Sequence, residues 1–206
     1  GIVKRSRSEK FEFEIEAEKI SIINKSEPRL PLDPREITKT NLETRLDWRF
    51  LYFRTQEGRA IFRIQTEILR SFREYFLSKN FIEMQPPIII ASASEGGAEL
   101  FELPYFEKKA YLAQSPQLYK QMGAISFEKV FMIVPVFRAE KFDQPTHLNE
   151  IRQMDIEMAF TNDEDVIVEL ENVFVHILKN VKENCEKELR ILNQEVEVPP
   201  LPLKRV

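Results

Sequence analysis

The sequence is short of cysteine, of glycine and of long apolar runs, and each shortage excludes a class of protein. A single cysteine, Cys185, excludes an intrachain disulfide framework and a cysteine-rich metal site. The five glycines form neither a phosphate-binding P-loop nor a Rossmann fingerprint. No apolar run reaches the roughly 18 residues of a membrane span, and no signal peptide opens the chain. We therefore expect a cytoplasmic protein that does not associate with a membrane.

The charge balance excludes a strongly basic nucleic-acid binder. Lys and Arg number 30 against 34 Asp and Glu, which gives a formal net charge of −4. Overall electrostatics therefore do not favour RNA or DNA, and a tRNA ligand would need a local basic patch or a further domain. The 206 residues, 43% of them hydrophobic, suffice for one large domain or for a domain and a fragment.

The most informative stretch covers residues 131–160, FMIVPVFRAEKFDQPTHLNEIRQMDIEMAF. Apolar residues lead to Arg138 and Glu140, a polar loop follows, and the return segment alternates in the manner of a strand. The predicted antiparallel hairpin divides this return segment into two faces, Met154, Ile156, Met158 and Phe160 on one and Gln153, Asp155, Glu157 and Ala159 on the other. Its exposed face, with Arg138 and Glu140 on the first strand, could hold a polar substrate. A solvated cross-strand ion pair is the commoner result of such spacing.

Two amphipathic helices are predicted on either side of this hairpin. Residues 60–79 place apolar side chains three and four positions apart, with Asn80 as a left-handed C-cap. Residues 163–193 predict a second helix, with negative charge in its first turn. Between the first helix and the hairpin, Pro86 and Pro87 interrupt a strand, which places that strand at a sheet edge or an interface.

The chain divides into three predicted parts. Residues 1–25 contain an alternating acidic strand at 11–18, and too few strands for an independent sheet. Residues 26–41 are rich in proline and charge and are predicted to form a hinge. Residues 42–206 then form the main domain, and its opening segment, 42–56, is expected to pack without carrying chemistry.

Several strings resemble the class II aminoacyl-tRNA synthetases, and within that class the aspartyl enzymes of archaeal and eukaryotic type. FRAE (137–140), THLNE (146–150) and MDIEMAF (154–160) resemble the second signature motif of the class. The helix, strand and proline ending at Pro87 resemble the first motif. SEGG (94–97) resembles the loop that closes over bound aspartate, and QSPQLYK (114–120) resembles the aspartate-specificity segment.

This resemblance implies an α+β fold. The main domain would be the first half of a class II antiparallel-sheet catalytic domain, and residues 1–25 the last strands of an OB-fold anticodon-binding domain. The region from Ile61 to Ile90, including Pro87, would form a homodimer interface. Nothing in the chain resembles the third motif, so the chain would contain about half of a complete enzyme and be inactive alone.

The resemblance also implies a reaction and its residues. An aspartate–tRNA ligase activates L-aspartate with ATP and Mg²⁺ and then transfers the aspartyl group to tRNA. The implied aspartate-binding residues are Glu95, Gln117, Lys120, Arg138 and Asp155. The implied ATP-binding residues are Arg138, Ala139, Glu140, His147 and Leu148.

Individual roles follow from the same resemblance. Arg138 is the implied catalytic residue, because its guanidinium would bridge the α-phosphate and the substrate carboxylate. Glu140 would accept from the adenine amine, and His147 would meet the outer phosphates. Lys120 would contact the side-chain carboxylate of aspartate, while Glu95 and Asp155 would face its ammonium group. The metal ligands are expected outside this chain.

Two positions depart from the family pattern. Thr146 stands where the family usually has arginine, and Ile151 where many members place an aromatic residue that stacks on adenine. Two alternatives therefore stay open: a non-catalytic paralogue that dimerises or binds aspartate, and a relative that makes asparagine. Because Glu95, Lys120, Arg138 and Glu140 are all present, the ligase is favoured.

Overall fold

The computed structural model describes residues 1–8, 11–35, 40–94, 99–141 and 147–204. It contains two compact units, Gly1–Thr55 and Gln56–Val206. The predicted hinge at 26–41 lies within the first unit, and the three-part division stays a prediction.

The first unit contains a small hairpin and two short helices. Strands β1 (Ile2–Arg5) and β2 (Phe13–Glu16) pair antiparallel, with Val3 opposite Ile15. Helices α1 (Leu42–Asp47) and α2 (Arg49–Tyr52) follow. The predicted strand at 11–18 forms as β2, yet Ile15 is 74% exposed, because a two-stranded ribbon has no layer to cover its apolar face.

The second unit contains the remaining elements. The helices are α3 (Gln56–Ser78), α4 (Gln117–Phe127), α5 (Asp163–Asn184) and α6 (Glu186–Ile191). The strands are β3 (Ile82–Glu83), β4 (Ile89–Ile90), β5 (Glu102–Tyr105), β6 (Lys108–Leu112), β7 (Lys129–Phe137) and β8 (Glu150–Met158). They form two three-stranded sheets, ordered β3-β7-β8 and β4-β6-β5. No helix in the described part of the chain is long and apolar enough to cross a membrane.

The β7–β8 hairpin is the centre of the unit, as predicted. The strands pair antiparallel along their whole length, from Lys129 opposite Met158 to Phe137 opposite Glu150. One face packs on α3 and α5, where Phe131 meets Phe72, Phe76 and Val173 in the main hydrophobic cluster. Ile156 and Met158 join this cluster, so the helix-facing side of β8 is the predicted apolar one.

Helix α3 contains the predicted apolar stripe and its predicted cap. Phe72 and Phe76 are buried against the sheet, and Ile64 and Ile68 pack against the second cluster, around Val181. The backbone φ of Asn80 is 63°, the left-handed conformation expected of the cap. Most of the apolar stripe of α3 is therefore buried within the chain, because the helix packs on its own sheet.

Three boundary predictions are wrong. The helix predicted over 163–193 is two helices that meet at Cys185, where the backbone φ of −121° and ψ of 26° depart from helical geometry, and Val181, Cys185 and Leu189 share one buried cluster across the break. Phe160 lies beyond the end of β8 and is 94% exposed, so it does not join the apolar face. Strand β7 ends at Phe137, so Arg138 and Glu140 follow the strand and do not lie on it.

Candidate active site

The second face of the β7–β8 hairpin carries the acidic side chains. Met132 pairs with Asp155 and Val130 pairs with Glu157, which directs both carboxylates away from α3 and α5. Helix α4 packs against this face through Gly123. A Cβ at Gly123 would lie 3.2 Å from Val130 Cγ1 and would also collide with the Met84 thioether, so a larger residue would require at least the Met84 side chain to move.

Lys120 on α4 reaches both carboxylates. Its Nζ lies 3.7 Å from Asp155 Oδ1 and 3.5 Å from Glu157 Oε2. The three side chains are 14%, 15% and 27% exposed, so solvent screens this cluster less than a surface ion pair. Both distances exceed those of a good N–H···O hydrogen bond, and the ammonium therefore lies between the carboxylates without closing tightly on either.

The QSPQLYK segment is positioned by the strands on either side of it. Ala113 follows β6, and its N–H donates to Ile88 O at 2.8 Å while its carbonyl accepts from Phe137 N at 2.8 Å. Ser115 is 3% exposed, and its hydroxyl accepts from the Gln117 N–H at 3.2 Å. These bonds fix the start of α4 beside the end of β7. Gln117 and Lys120 are both half-buried, as predicted for one helix face.

Pro116 occupies the N-cap of α4, and its carbonyl accepts from the Lys120 N–H at 2.9 Å.

The segment that follows β7 is held by one asparagine that the sequence analysis missed. Asn149 Nδ2 donates to Arg138 O at 3.0 Å and to Glu140 O at 2.9 Å. The Arg138 N–H donates to Asn149 O, and the Ala139 N–H to Glu99 O, both at 2.9 Å. This curled backbone ends the β7 ladder and explains why Arg138 leaves the strand. The sequence signal that could have identified Asn149 is its position as a polar amide residue directly before the return strand β8.

The other predicted site residues differ in their exposure to solvent and in the elements that carry them. His147 and Leu148 are exposed just before β8, with Leu148 at 65%. Pro87 is exposed between β3 and β4. Ile151, at the position where an aromatic residue was expected, is partly buried and packs against the Val130 cluster. Glu95 and Thr146 lie outside the described residues.

The arrangement combines cations and carboxylates along one sheet face and its end. Lys120, Asp155 and Glu157 are brought together by contact, while Arg138, Ala139 and Glu140 are half-buried on a backbone that hydrogen bonds hold in place. An ammonium favours a carboxylate, and a guanidinium favours phosphate or carboxylate oxygens. Within the described ranges, no group of three or more His, Cys, Asp or Glu side chains could hold a metal ion. Such a site suits a small anionic substrate with a polar amine.

Comparison with known proteins decides the family. The model of tRNA synthetases class II (D, K and N) matches residues 41–205. This chain belongs to the class II tRNA synthetases. The predicted family and the α+β fold with antiparallel sheets are therefore confirmed.

Two curated relatives of this synthetase chain come from archaea. The aspartate–tRNA(Asp) ligase of Pyrococcus furiosus is 48% identical over 208 residues, which cover 100% of this chain and 48% of the relative. The aspartate–tRNA(Asp/Asn) ligase of Methanopyrus kandleri is 44% identical, with the same coverage. The chain spans about half the length of the curated relatives it matches.

Solved synthetase structures share the fold. Asparaginyl-tRNA synthetase from Pyrococcus horikoshii, complexed with asparaginyl-adenylate, superposes with a TM-score of 0.82 at 33% identity, over 93% of this chain and 44% of that one. Aspartyl tRNA synthetase from Entamoeba histolytica gives 0.63 at 35% identity, over 82% of this chain and 30% of that one. The fold is thus shared by aspartyl and asparaginyl enzymes, and side chains must decide between their substrates.

Proposed function

We propose that this chain is part of an aspartate–tRNA ligase, which activates L-aspartate with ATP and transfers the aspartyl group to tRNA. The observation that carries the proposal is the position of Lys120. Its ammonium is largely buried on the polar face of the hairpin, one helical turn after Gln117. A fixed ammonium attracts the side-chain carboxylate of aspartate and gives no comparable gain with the neutral amide of asparagine.

Activation requires a carboxylate to attack the α-phosphate of ATP, so two anions must be brought together. Arg138 suits this task because a guanidinium can donate to carboxylate and phosphate oxygens at once. Asn149 fixes the carbonyls on both sides of Ala139, which limits the positions open to Arg138 and Glu140. These residues fit one side of a nucleotide site, with Glu140 as acceptor for the adenine amine, His147 for the outer phosphates, and Leu148 next to His147.

The substrate ammonium is the second group to be positioned. Asp155 is 15% exposed and lies on the same face as Lys120, where a carboxylate can meet a primary amine. Glu95 and Gln117 are proposed to complete the amino-acid pocket. Mg²⁺ would accompany the nucleotide, and its protein ligands are proposed to lie outside the described residues, because no three-ligand cluster occurs within them.

A cytoplasmic homodimer is proposed as the working assembly. Although most of the α3 stripe is used internally, several apolar side chains between residues 61 and 90 remain 41–50% exposed: Ile61, Phe62, Leu77, Ile82 and Ile89. Pro87 lies among them and is exposed as well. Exposed apolar side chains suit a contact between two copies of the chain.

The proposal is tested by aspartate-dependent exchange of pyrophosphate into ATP. The protein should carry this chain together with the portions that its relatives have outside the matched region. Replacing Lys120 by Met should lower kcat/KM for aspartate. The decrease should correspond to a loss of about 2–5 kcal/mol of transition-state stabilisation, because the ammonium that pairs with the substrate carboxylate in a desolvated site is removed. Lys108→Met, at an exposed position of β6, is the matched control and should retain the wild-type value. Unchanged preference for aspartate over asparagine in Lys120→Met would refute this role.

A further inference from the structure

Glu157 contacts Lys120 more closely than the predicted site residue Asp155 does. The distances to Lys120 Nζ are 3.5 Å from Glu157 Oε2 and 3.7 Å from Asp155 Oδ1. Because β8 alternates, residues 155 and 157 project from the same face, and both pair with buried valine or methionine positions of β7. The register therefore gives one ammonium two fixed carboxylate neighbours.

The local charge has a consequence for substrate choice. Lys120 contributes one positive charge and the two carboxylates contribute two negative charges, so this cluster carries a net charge of −1. An aspartate side chain that approaches Lys120 becomes the third anion around a single ammonium. The amide of asparagine brings no charge, and its N–H groups can donate to Glu157. Glu157 thus opposes aspartate and tolerates asparagine.

We propose that Glu157 is a positioning and specificity-setting residue that holds the Lys120 ammonium over the sheet and moderates its preference for aspartate. This inference rests on the proposed ligase function. The ammonium has three donors, and two of them can be directed at Asp155 and Glu157 while the third faces the substrate. Glu157 therefore acts through Lys120 and does not touch the reacting atoms.

Three variants separate charge from position. Glu157→Gln keeps the size and one acceptor oxygen but removes the charge. Glu157→Asp keeps the charge on a shorter side chain. Glu150→Gln makes the same chemical change on β8 but on the opposite face, roughly 23 Å along the strand, and serves as the control.

The first measurement follows the lysine side chains of the ligand-free 206-residue protein by NMR of ¹³Cε- and ¹⁵Nζ-labelled lysine, with Lys120→Met to assign the signal. Glu157→Gln should shift the Lys120 signal, Glu157→Asp should return it most of the way, and Glu150→Gln should leave it in place. A Lys120 signal that does not respond to Glu157→Gln would overturn the positioning role. This readout does not depend on aspartate binding.

The second measurement titrates the same variants with L-aspartate and L-asparagine, each in a protein that carries this chain together with the portions that its relatives have outside the matched region. Glu157→Gln should raise the ratio of aspartate affinity to asparagine affinity on the order of tenfold, because one repulsive carboxylate is neutralised. Glu150→Gln should leave this ratio unchanged. A completed wild-type protein that binds neither amino acid would contradict the proposed function, and the lysine signals would still decide the positioning role. A wild-type chain that binds aspartate, with an unaltered or lowered ratio in Glu157→Gln, would overturn the specificity role alone.

Discussion

The contact between α3 and α5 offers a sharp test of what holds the hairpin in place. The two helices run antiparallel, and every fourth residue of one meets every fourth residue of the other. The successive pairs are Glu67 with Asn184, Ser71 with Asn180, and Tyr75 with His176, and the pair of Arg63 with Glu188 on α6 continues the series. A slip by one turn would break every pair, so these contacts specify the alignment of the helices under Phe131 and Ile156.

Glu67 is the most heavily bonded member of this set. Its side chain is 11% exposed and accepts from Arg70 Nη2 at 2.5 Å, Arg70 Nε at 3.1 Å, Asn184 Nδ2 at 2.9 Å and Ser71 Oγ at 3.3 Å. These hydrogen bonds, those from Arg70 above all, hold the pKa of Glu67 below its usual value of 4.5. We predict that Glu67→Gln lowers the free energy of unfolding by about 2–4 kcal/mol at pH 7, since a charged acceptor of several bonds is lost.

The pH dependence has a definite sign. Because folding lowers the pKa of Glu67, its charge stabilises the protein above pH 4.5, and this contribution disappears as the pH falls through the folded-state pKa. Urea unfolding followed by circular dichroism at 222 nm should therefore show a difference between wild type and Glu67→Gln that is full at pH 7 and shrinks below pH 4.5.

Glu74→Gln is the matched control for this experiment. Glu74 also accepts from Arg70, at 3.0 Å, but its side chain is 53% exposed. Removing the charge of Glu74 should lower the free energy of unfolding by at most about 1 kcal/mol, because solvent screens the exposed ion pair with Arg70. Equal effects of the two variants, or a Glu67→Gln protein as stable as wild type at pH 7, would refute the reasoning.

Three further predictions concern function and assembly. Asn149→Ala should reduce the rate of pyrophosphate exchange by about tenfold to a hundredfold, because two hydrogen bonds that fix the backbone around Ala139 are lost. The urea midpoint should change little, and an unchanged exchange rate would show that Asn149 does not position this backbone for the reaction. The 206-residue chain alone should form no aspartyl-adenylate at a useful rate, and adding the portions that its relatives carry should restore adenylate formation. Thin-layer chromatography of the labelled adenylate measures this difference. Ile89→Asp, at a 47% exposed position, should shift sedimentation at micromolar concentration towards monomer, whereas Val168→Asp, 43% exposed on α5, should not.

Local patterns of the sequence were sufficient for much of the fold. The alternation around Asp155 predicted β8 and its two faces, and the spacing of Phe72 and Phe76 predicted the buried side of α3. Asn80 was predicted as the cap because few residues other than glycine adopt a positive φ readily. These features depend on neighbours within a few positions, and the sequence alone therefore determines them. The motif strings likewise determined the family, because their residues match one by one.

Only the tertiary structure decided which charged groups meet. Lys120 and Glu157 are 37 positions apart in number, and their contact depends on how closely α4 approaches the sheet over Gly123. Asn149 reaches Arg138 because the hairpin closes, and β7 ends there for the same reason. The break at Cys185, where φ is −121° and ψ is 26°, is not visible in the sequence, because the apolar periodicity of residues 163–193 continues through it. Contacts between distant segments depend on packing distance and register, which no local pattern encodes.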